Sequence, residues 1–206
     1  MSRAGRFAEM EEVLPGVHHW TAEHPRLKIE VGCHFVAGSA TAIDPLLPDE
    51  GMDWFERHRP ARVVLSNRHH LRHSELLADA FGCPILCHES GLHEFAQGPQ
   101  VQGFAFGDRL ADDVTALEMD SICPDDTVLQ IEAGGGALLF ADSLIHYGEV
   151  GFVSDNLIGD GAERVKDQIR ARAGKLSGCE CENLLFAHGR PLIGGGRQAL
   201  RAVAEG

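Results

Sequence analysis

The 206-residue chain lacks any apolar run of about 20 residues, the length that a membrane-spanning helix needs. Residues 1–12 carry several charges and no apolar segment of the kind that forms the centre of a secretory signal. Basic residues are also scarce, since 18 Lys and Arg stand against 31 Asp and Glu and the formal net charge is −13. Such a chain is repelled by phosphate backbones and anionic lipids. We therefore expect no signal peptide, no nucleic-acid partner and no membrane partner.

The six cysteines include no C-x-x-C pair, and their spacing indicates no disulfide framework. Reduced thiols in a cytoplasmic protein are the expectation. The chain also lacks internal repeats, low-complexity tracts and long linkers, and its composition is that of an ordinary globular protein. We expect one domain over residues 1–206, which is long enough to bury a core without disulfides.

Short strand-like runs alternate with helical patterns. The predicted strands cover residues 31–37, 40–44, 63–66, 84–87, 114–119, 127–132, 137–141 and 184–187. Four helices are predicted: one after Pro48, one over 75–81, one over 162–173 and one that closes the chain after 194–196. Ser74 is the expected N-cap of the second helix and Gly82 its C-terminal glycine. Residues 144–161 form the longest turn-rich stretch, which fits a surface loop over a site. This order predicts an α/β sandwich.

Histidines mark the first candidate site. Three of the 12 histidines fall within residues 69–73, between the predicted strand 63–66 and the helix that follows it. Asp142 and His188 each end an apolar strand pattern. A polar residue at the tip of a buried strand must find a partner or face a pocket. The sequence therefore predicts that these strand tips converge on one rim.

With these motifs the chain resembles the metallo-β-lactamase superfamily. The stretch from Arg68 to His73 stands where the family has H-x-H-x-D-H, and Asp142 stands where it has a metal-bridging aspartate. All matching stretches follow the family order, and they are Pro15-Gly16-Val17, Ile43-Asp44-Pro45, Arg68 to His73, Leu138 to Asp142 and His188 to Pro191. The resemblance covers roughly residues 13–203. It implies an αββα sandwich of two mixed β-sheets with helices on the outer faces.

The chain departs from the family motif at three positions. Arg68 stands at the first motif histidine, Arg72 at the motif aspartate, and Ile122 at a later histidine. Of the three ligands that the resemblance implies for a first metal site, His70 alone is kept. A dinuclear centre is therefore not expected.

The second metal site that the resemblance implies keeps three ligands of four, namely His73, Asp142 and His188. Three protein ligands plus water make an open catalytic site. We therefore predict one metal ion held by these three residues, with His70 as a fourth candidate ligand. Two histidines and a carboxylate suit zinc first, and also iron or manganese.

The first functional hypothesis is a metal-dependent hydrolase of a small ester, thioester, lactone or phosphoester, anionic in one interpretation of the charge pattern, with Asp142 and His73 as catalytic residues. Metal-bound water would supply the nucleophile. Two alternatives stay open: a non-catalytic protein without cofactor in which Arg68 and Arg72 replace the metal, and an oxidoreductase with a single iron on the same fold. The partner is a small-molecule substrate, and a homo-oligomer is left open.

The anionic substrate is suggested by the charge pattern. Residues 57–73 contain five arginines and no acid, in a chain that is acidic elsewhere. One interpretation is a set of surface residues that offset the acidic excess. The other is a positive pocket wall in which Arg68 and Arg72 bind the substrate.

Overall fold

A computed structural model of the protein describes residues 10–206. Residues 1–9 lie outside the described residues. The predicted absence of a signal peptide and the start of the predicted domain 1–206 fall on them. The first sheet has the spatial order β1 (Glu11–Leu14), β2 (Val17–Glu23), β3 (Glu30–Val36), β4 (Thr41–Ile43), β5 (Arg62–Val64), β6 (Ile85–His88) and β7 (Val101–Phe104). Strands β1 to β4 are antiparallel, whereas β4 to β7 are parallel.

The remaining strands form the second sheet and a small hairpin. In chain order they are β8 (Arg109–Ala111), β9 (Val114–Glu118), β10 (Thr127–Ile131), β11 (Ala137–Phe140), β12 (Leu144–His146), β13 (Val150–Phe152) and β14 (Asn183–Phe186). The second sheet has the order β14-β11-β10-β9-β8, and β12 pairs with β13. Strand β14 is parallel to β11, while the other pairs of this sheet are antiparallel. Both large sheets are therefore mixed, as predicted.

The helices cover the outer faces of the two sheets. They are α1 (Met52–Arg57), α2 (Ser74–Phe81), α3 (Asp155–Ile158), α4 (Ala162–Leu176) and α5 (Gly196–Glu205). Trp54 and Phe55 of α1 and Leu77 of α2 pack on the first sheet. Helices α4 and α5 pack on the second sheet, through residues that include Ile169 and Leu200. No helix within residues 10–206 is long and apolar enough to cross a bilayer.

Alternation along the strands builds the core. In β3, Cys33 and Phe35 face α1 and α2, whereas Val36 belongs to the apolar layer between the sheets. This inner layer also holds Val17, Ile43, Val64, Val114, Leu129, Ile131, Leu139 and Leu185, all fully buried. Burying a side chain of this size contributes about 1.5–3 kcal/mol. The period of two residues thus gives each sheet one face for its helices and one for the other sheet.

A glycine lets the two sheets meet beside the candidate site. The N–H of Gly32 in β3 donates to the carbonyl of Ala187, 2.7 Å away, just after β14 ends. A Cβ atom on Gly32 would lie 2.4 Å from the carbonyl oxygen of Phe186. Glycine is therefore required at this close approach.

The predicted elements are present, with shifts at their ends. Gly82 ends α2 in a left-handed conformation, as predicted, but the N-cap position is His73 rather than Ser74. Residues 144–161 were predicted as a loop, and they contain β12, β13 and α3. All six cysteines are free.

Candidate metal centre

The ends of four strands position the candidate site. Asp44 follows β4 and Ser66 follows β5, and these strands are parallel neighbours. Asp142 follows β11 and His188 follows β14, which are parallel neighbours in the other sheet. Because the carboxyl ends of parallel strands meet at one edge, both sheets present polar side chains on the same rim. His70 joins them from a single 3₁₀ turn.

Three side chains converge at this rim. Nε2 of His70 lies 3.2 Å from Oδ1 of Asp142, and Nε2 of His188 lies 2.9 Å from the same oxygen. Within residues 10–206, these side chains form the group whose ligand atoms all lie within 4.8 Å of one another. The convergence predicted for the strand tips is therefore present in the structure.

The inner side of His70 is fixed by a buried carboxylate. Its Nδ1 lies 3.0 Å from Oδ2 of Asp44 and 3.0 Å from the hydroxyl of Ser66. The backbone N–H of Ser66 donates to Oδ1 of Asp44 at 2.8 Å. A carboxylate behind an imidazole fixes its tautomer and makes the opposite nitrogen a better metal ligand. His70 thus directs Nε2 toward Asp142.

The charges of these groups depend on one another. Burial would lower the pKa of His70, but the carboxylates of Asp44 and Asp142 raise it to about 9. Burial would raise the pKa of Asp142, but the charge of His70 and the hydrogen bond to His188 hold it well below its usual range. A cation that binds here therefore has to displace a proton that two carboxylates hold on His70.

A second buried carboxylate lies behind Asp142. The hydroxyl of Ser143 donates to Asp126, which is fully buried. Burial raises the pKa of Asp126 to about 7, the hydrogen bond from Ser143 opposes this, and repulsion by Asp142 adds to it. Asp126 therefore anchors the backbone next to Asp142 while adding negative potential behind it.

Solved structures with this arrangement of sheets and helices include metallo-β-lactamases and a flavo di-iron protein. DIM-1 metallo-β-lactamase superposes with a TM-score of 0.73 and 13% identity, over 97% of this chain and 98% of that one. TMB-1 gives a TM-score of 0.71 and 14% identity, over 97% of this chain and 98% of that one. A flavo di-iron protein from Thermotoga maritima gives 0.69 and 16%, over 96% of this chain and 61% of that one.

This chain has the metallo-β-lactamase fold. The resemblance read from its motifs is thereby confirmed at the level of the fold. No family model matches the sequence, and no curated protein matches it.

His73 takes a different place from the one predicted. Its Nδ1 accepts the backbone N–H of Leu47 at 3.0 Å, and His73 is not in the group formed by His70, Asp142 and His188. The physical reason is the backbone turn at Arg72, whose φ is +44°. The converging ligand atoms therefore include His70 and not His73.

The two motif arginines, predicted to bind substrate, are engaged by groups within the chain. Arg68 forms an ion pair with the fully buried Asp125, whose other oxygen accepts the backbone N–H of Arg68 at 2.6 Å. Arg72 donates to the backbone carbonyls of Gly32 and Asp44, both at 2.7 Å. Neither guanidinium contacts Asp142 or replaces a metal there. Buried guanidinium groups need acceptors, and the chain supplies them to Arg68 and to Nη1 of Arg72, whereas the buried Nη2 of Arg72 has none.

The other three arginines of residues 57–73 also have partners within the chain. Arg57 pairs with Glu50, Arg59 lies over the ring of Phe81, and Arg62 donates to the carbonyl of Ser39.

Sequence reasoning missed two residues of the site. Asn67 donates from Nδ2 to Oδ2 of Asp142 at 2.7 Å, and Asp126 supports Ser143. A sequence signal existed for Asn67, since asparagine is a preferred residue before a helical turn. Asp126 carries no such signal, because its contact with Ser143 spans 17 residues and depends on how β10 pairs with β11.

Proposed function

We propose that the protein is a metal-dependent hydrolase that binds one divalent ion through His70, Asp142 and His188. The observation that carries this proposal is the mutual approach of their ligand atoms to within 4.8 Å. Two imidazole nitrogens and one carboxylate oxygen suit zinc, and they fit the three-ligand pattern of an open catalytic site. The buried Asp44 behind His70 is the support that metal-binding histidines usually have.

The metal would supply a water molecule whose pKa is lowered toward neutrality, which makes it a nucleophile at ordinary pH. The chain supplies the arrangement around it. Asp44 orients His70, and the side chains of Asp142 and His188 remain 25% and 19% exposed, so that a substrate can reach them.

We propose a small ester, thioester, lactone or phosphoester as the substrate, with an apolar portion rather than an anionic one. The connection between β2 and β3 leads into the strand whose Gly32 donates its N–H to the carbonyl of Ala187, the residue directly before His188. Leu27 and Ile29 lie on this connection and are 63% and 44% exposed. Exposed apolar side chains next to a polar centre are typical of ligand sites.

The test is hydrolysis by zinc-loaded protein of a panel made of a p-nitrophenyl ester, a thioester, a lactone and a phosphodiester. We expect turnover of at least one class, its loss in His188→Ala, and its retention in His69→Ala, which removes an exposed neighbouring imidazole. Turnover that survives both His188→Ala and a chelator would overturn the proposal.

A single-iron oxidoreductase is the second candidate. Two histidines and one carboxylate with open positions also suit non-haem iron. The fold is shared with a flavo di-iron protein. Protein purified aerobically without a histidine tag distinguishes the two, since iron near one equivalent with no hydrolysis would favour this candidate.

A further inference from the structure

Asn67 connects the turn that bears His70 with the carboxylate of Asp142. Its Oδ1 accepts the backbone N–H of His69 at 2.9 Å, at the start of the 3₁₀ turn. Its Nδ2 donates to Oδ2 of Asp142 at 2.7 Å. Asn67 is fully buried, so both contacts are protected from water.

The first contact decides the orientation of the amide group. The backbone N–H of His69 is a donor, so the group that faces it has to be the oxygen of Asn67. The nitrogen then has to face Asp142. An amide whose two ends are indistinguishable in shape is thus given one orientation by the backbone.

The second contact gives the two carboxylate oxygens of Asp142 different partners. Oδ2 is occupied by the amide of Asn67, whereas Oδ1 faces Nε2 of both His70 and His188. A carboxylate held in this way offers a metal one oxygen instead of two. The coordination positions that a second oxygen would fill then stay open for water and substrate.

We propose that Asn67 is a positioning residue that holds Asp142 in one-oxygen coordination of the metal. This inference rests on the proposed function, because it concerns how that metal is held. Partners that orient metal ligands typically contribute 10–100-fold, so we expect losing this one to cost on the order of 10–100-fold in metal affinity.

Asn67→Ser separates this role from a purely structural one. Serine also caps helical turns well, so the contact to the N–H of His69 can be kept. Its short side chain does not extend to Asp142. His69→Ala is the matched control, because it alters the same turn but keeps the backbone N–H and removes an exposed side chain.

The first measurement uses metal-free protein. We expect NMR to show a slowly exchanging side-chain amide of Asn67 whose proton shift returns to the ordinary range in Asp142→Ala. An amide that exchanges fast, or that is insensitive to Asp142→Ala, would overturn the inference whatever the metal does.

The second measurement is a titration with Co²⁺. We expect Asn67→Ser to bind Co²⁺ on the order of 10–100-fold more weakly than wild type. Its visible absorption bands should also be weaker, because the second oxygen of Asp142 would raise the coordination number of the ion. His69→Ala should match wild type in both respects. Equal binding and equal spectra in wild type and Asn67→Ser would overturn this inference alone. A wild type that binds no Co²⁺ would contradict both the inference and the proposed function.

Discussion

Oδ2 of Asp44 lies 3.0 Å from Nδ1 of His70, and both side chains are buried. The contact joins a strand end of the first sheet to the turn that bears a candidate metal ligand. Burial would raise the pKa of Asp44, but the charge of His70 lowers it. Asp44 is therefore ionised and fixes which nitrogen of His70 faces the second sheet.

Asp44→Asn should weaken zinc binding on the order of 10–100-fold without removing a ligand. The amide keeps the size of the side chain but loses the charge that holds the proton on Nδ1 of His70. A titration against a chelator of known affinity measures the effect. Asp53→Asn is the control, since Asp53 is exposed on α1. An Asp44→Asn protein that binds zinc as tightly as wild type would mean that the tautomer of His70 is set by something else.

Arg68→Met should destabilise the protein by on the order of 3 kcal/mol, because it leaves the buried Asp125 without its counter-charge. The double variant Arg68→Met with Asp125→Asn should recover most of the loss, since it removes both charges together. Urea unfolding of the two single variants and the double variant measures the coupling between the residues. Strictly additive losses would show that the pair does not act as a unit.

The strand tips of the site were predictable from sequence, and their neighbours were not. Asp142 and His188 each end an apolar run, so each had to face a partner or a pocket. Strand β14 follows β11 only after a hairpin and two helices, and yet pairs with it in parallel, with Leu138 opposite Leu184. The alternation of apolar residues along the two strands does not predict that they pair.

The choice between His70 and His73 was beyond the sequence. The two residues are three positions apart, and a short turn can direct either one to the rim. The backbone decides the outcome through the left-handed conformation of Arg72, which arginine rarely adopts. The partner of Arg68 was also beyond the sequence, because Asp125 lies 57 residues away.

The contribution of His19 and His34 to stability should fall as the pH drops below about 6.5, because both are buried as neutral rings. Nδ1 of His19 lies 3.0 Å from Nε2 of His34. Burial lowers the pKa of His19 to about 4, and burial together with the charge of His19 lowers that of His34 well below its usual value. The unfolded chain therefore takes up protons at a higher pH than the folded one. The stabilisation is complete above pH 6.5 and is lost as the pH falls toward 4.

The free energy of unfolding of His19→Gln should lie below that of wild type at pH 7. This difference should shrink by on the order of 2 kcal/mol when the pH is lowered to 5. Urea unfolding at both pH values measures this, with the exposed His93→Gln as control. A deficit that is the same at both pH values would show that His19 titrates normally in the folded protein.

His73→Ala should bind zinc with the stoichiometry of wild type, whereas the sequence motif alone predicts a loss. The reason is that Nδ1 of His73 is engaged by the N–H of Leu47, outside the converging group. Equilibrium dialysis followed by metal analysis measures the stoichiometry. Loss of the metal in this variant would restore His73 as a ligand and remove the case for His70 in its place.

The most direct test is the zinc content of protein dialysed against buffered zinc, for wild type, His70→Ala and His188→Ala. The account predicts one equivalent in wild type and none in either variant, because each removes one of three ligands from an open site. Two equivalents in wild type, or one equivalent that persists in both variants, would contradict it.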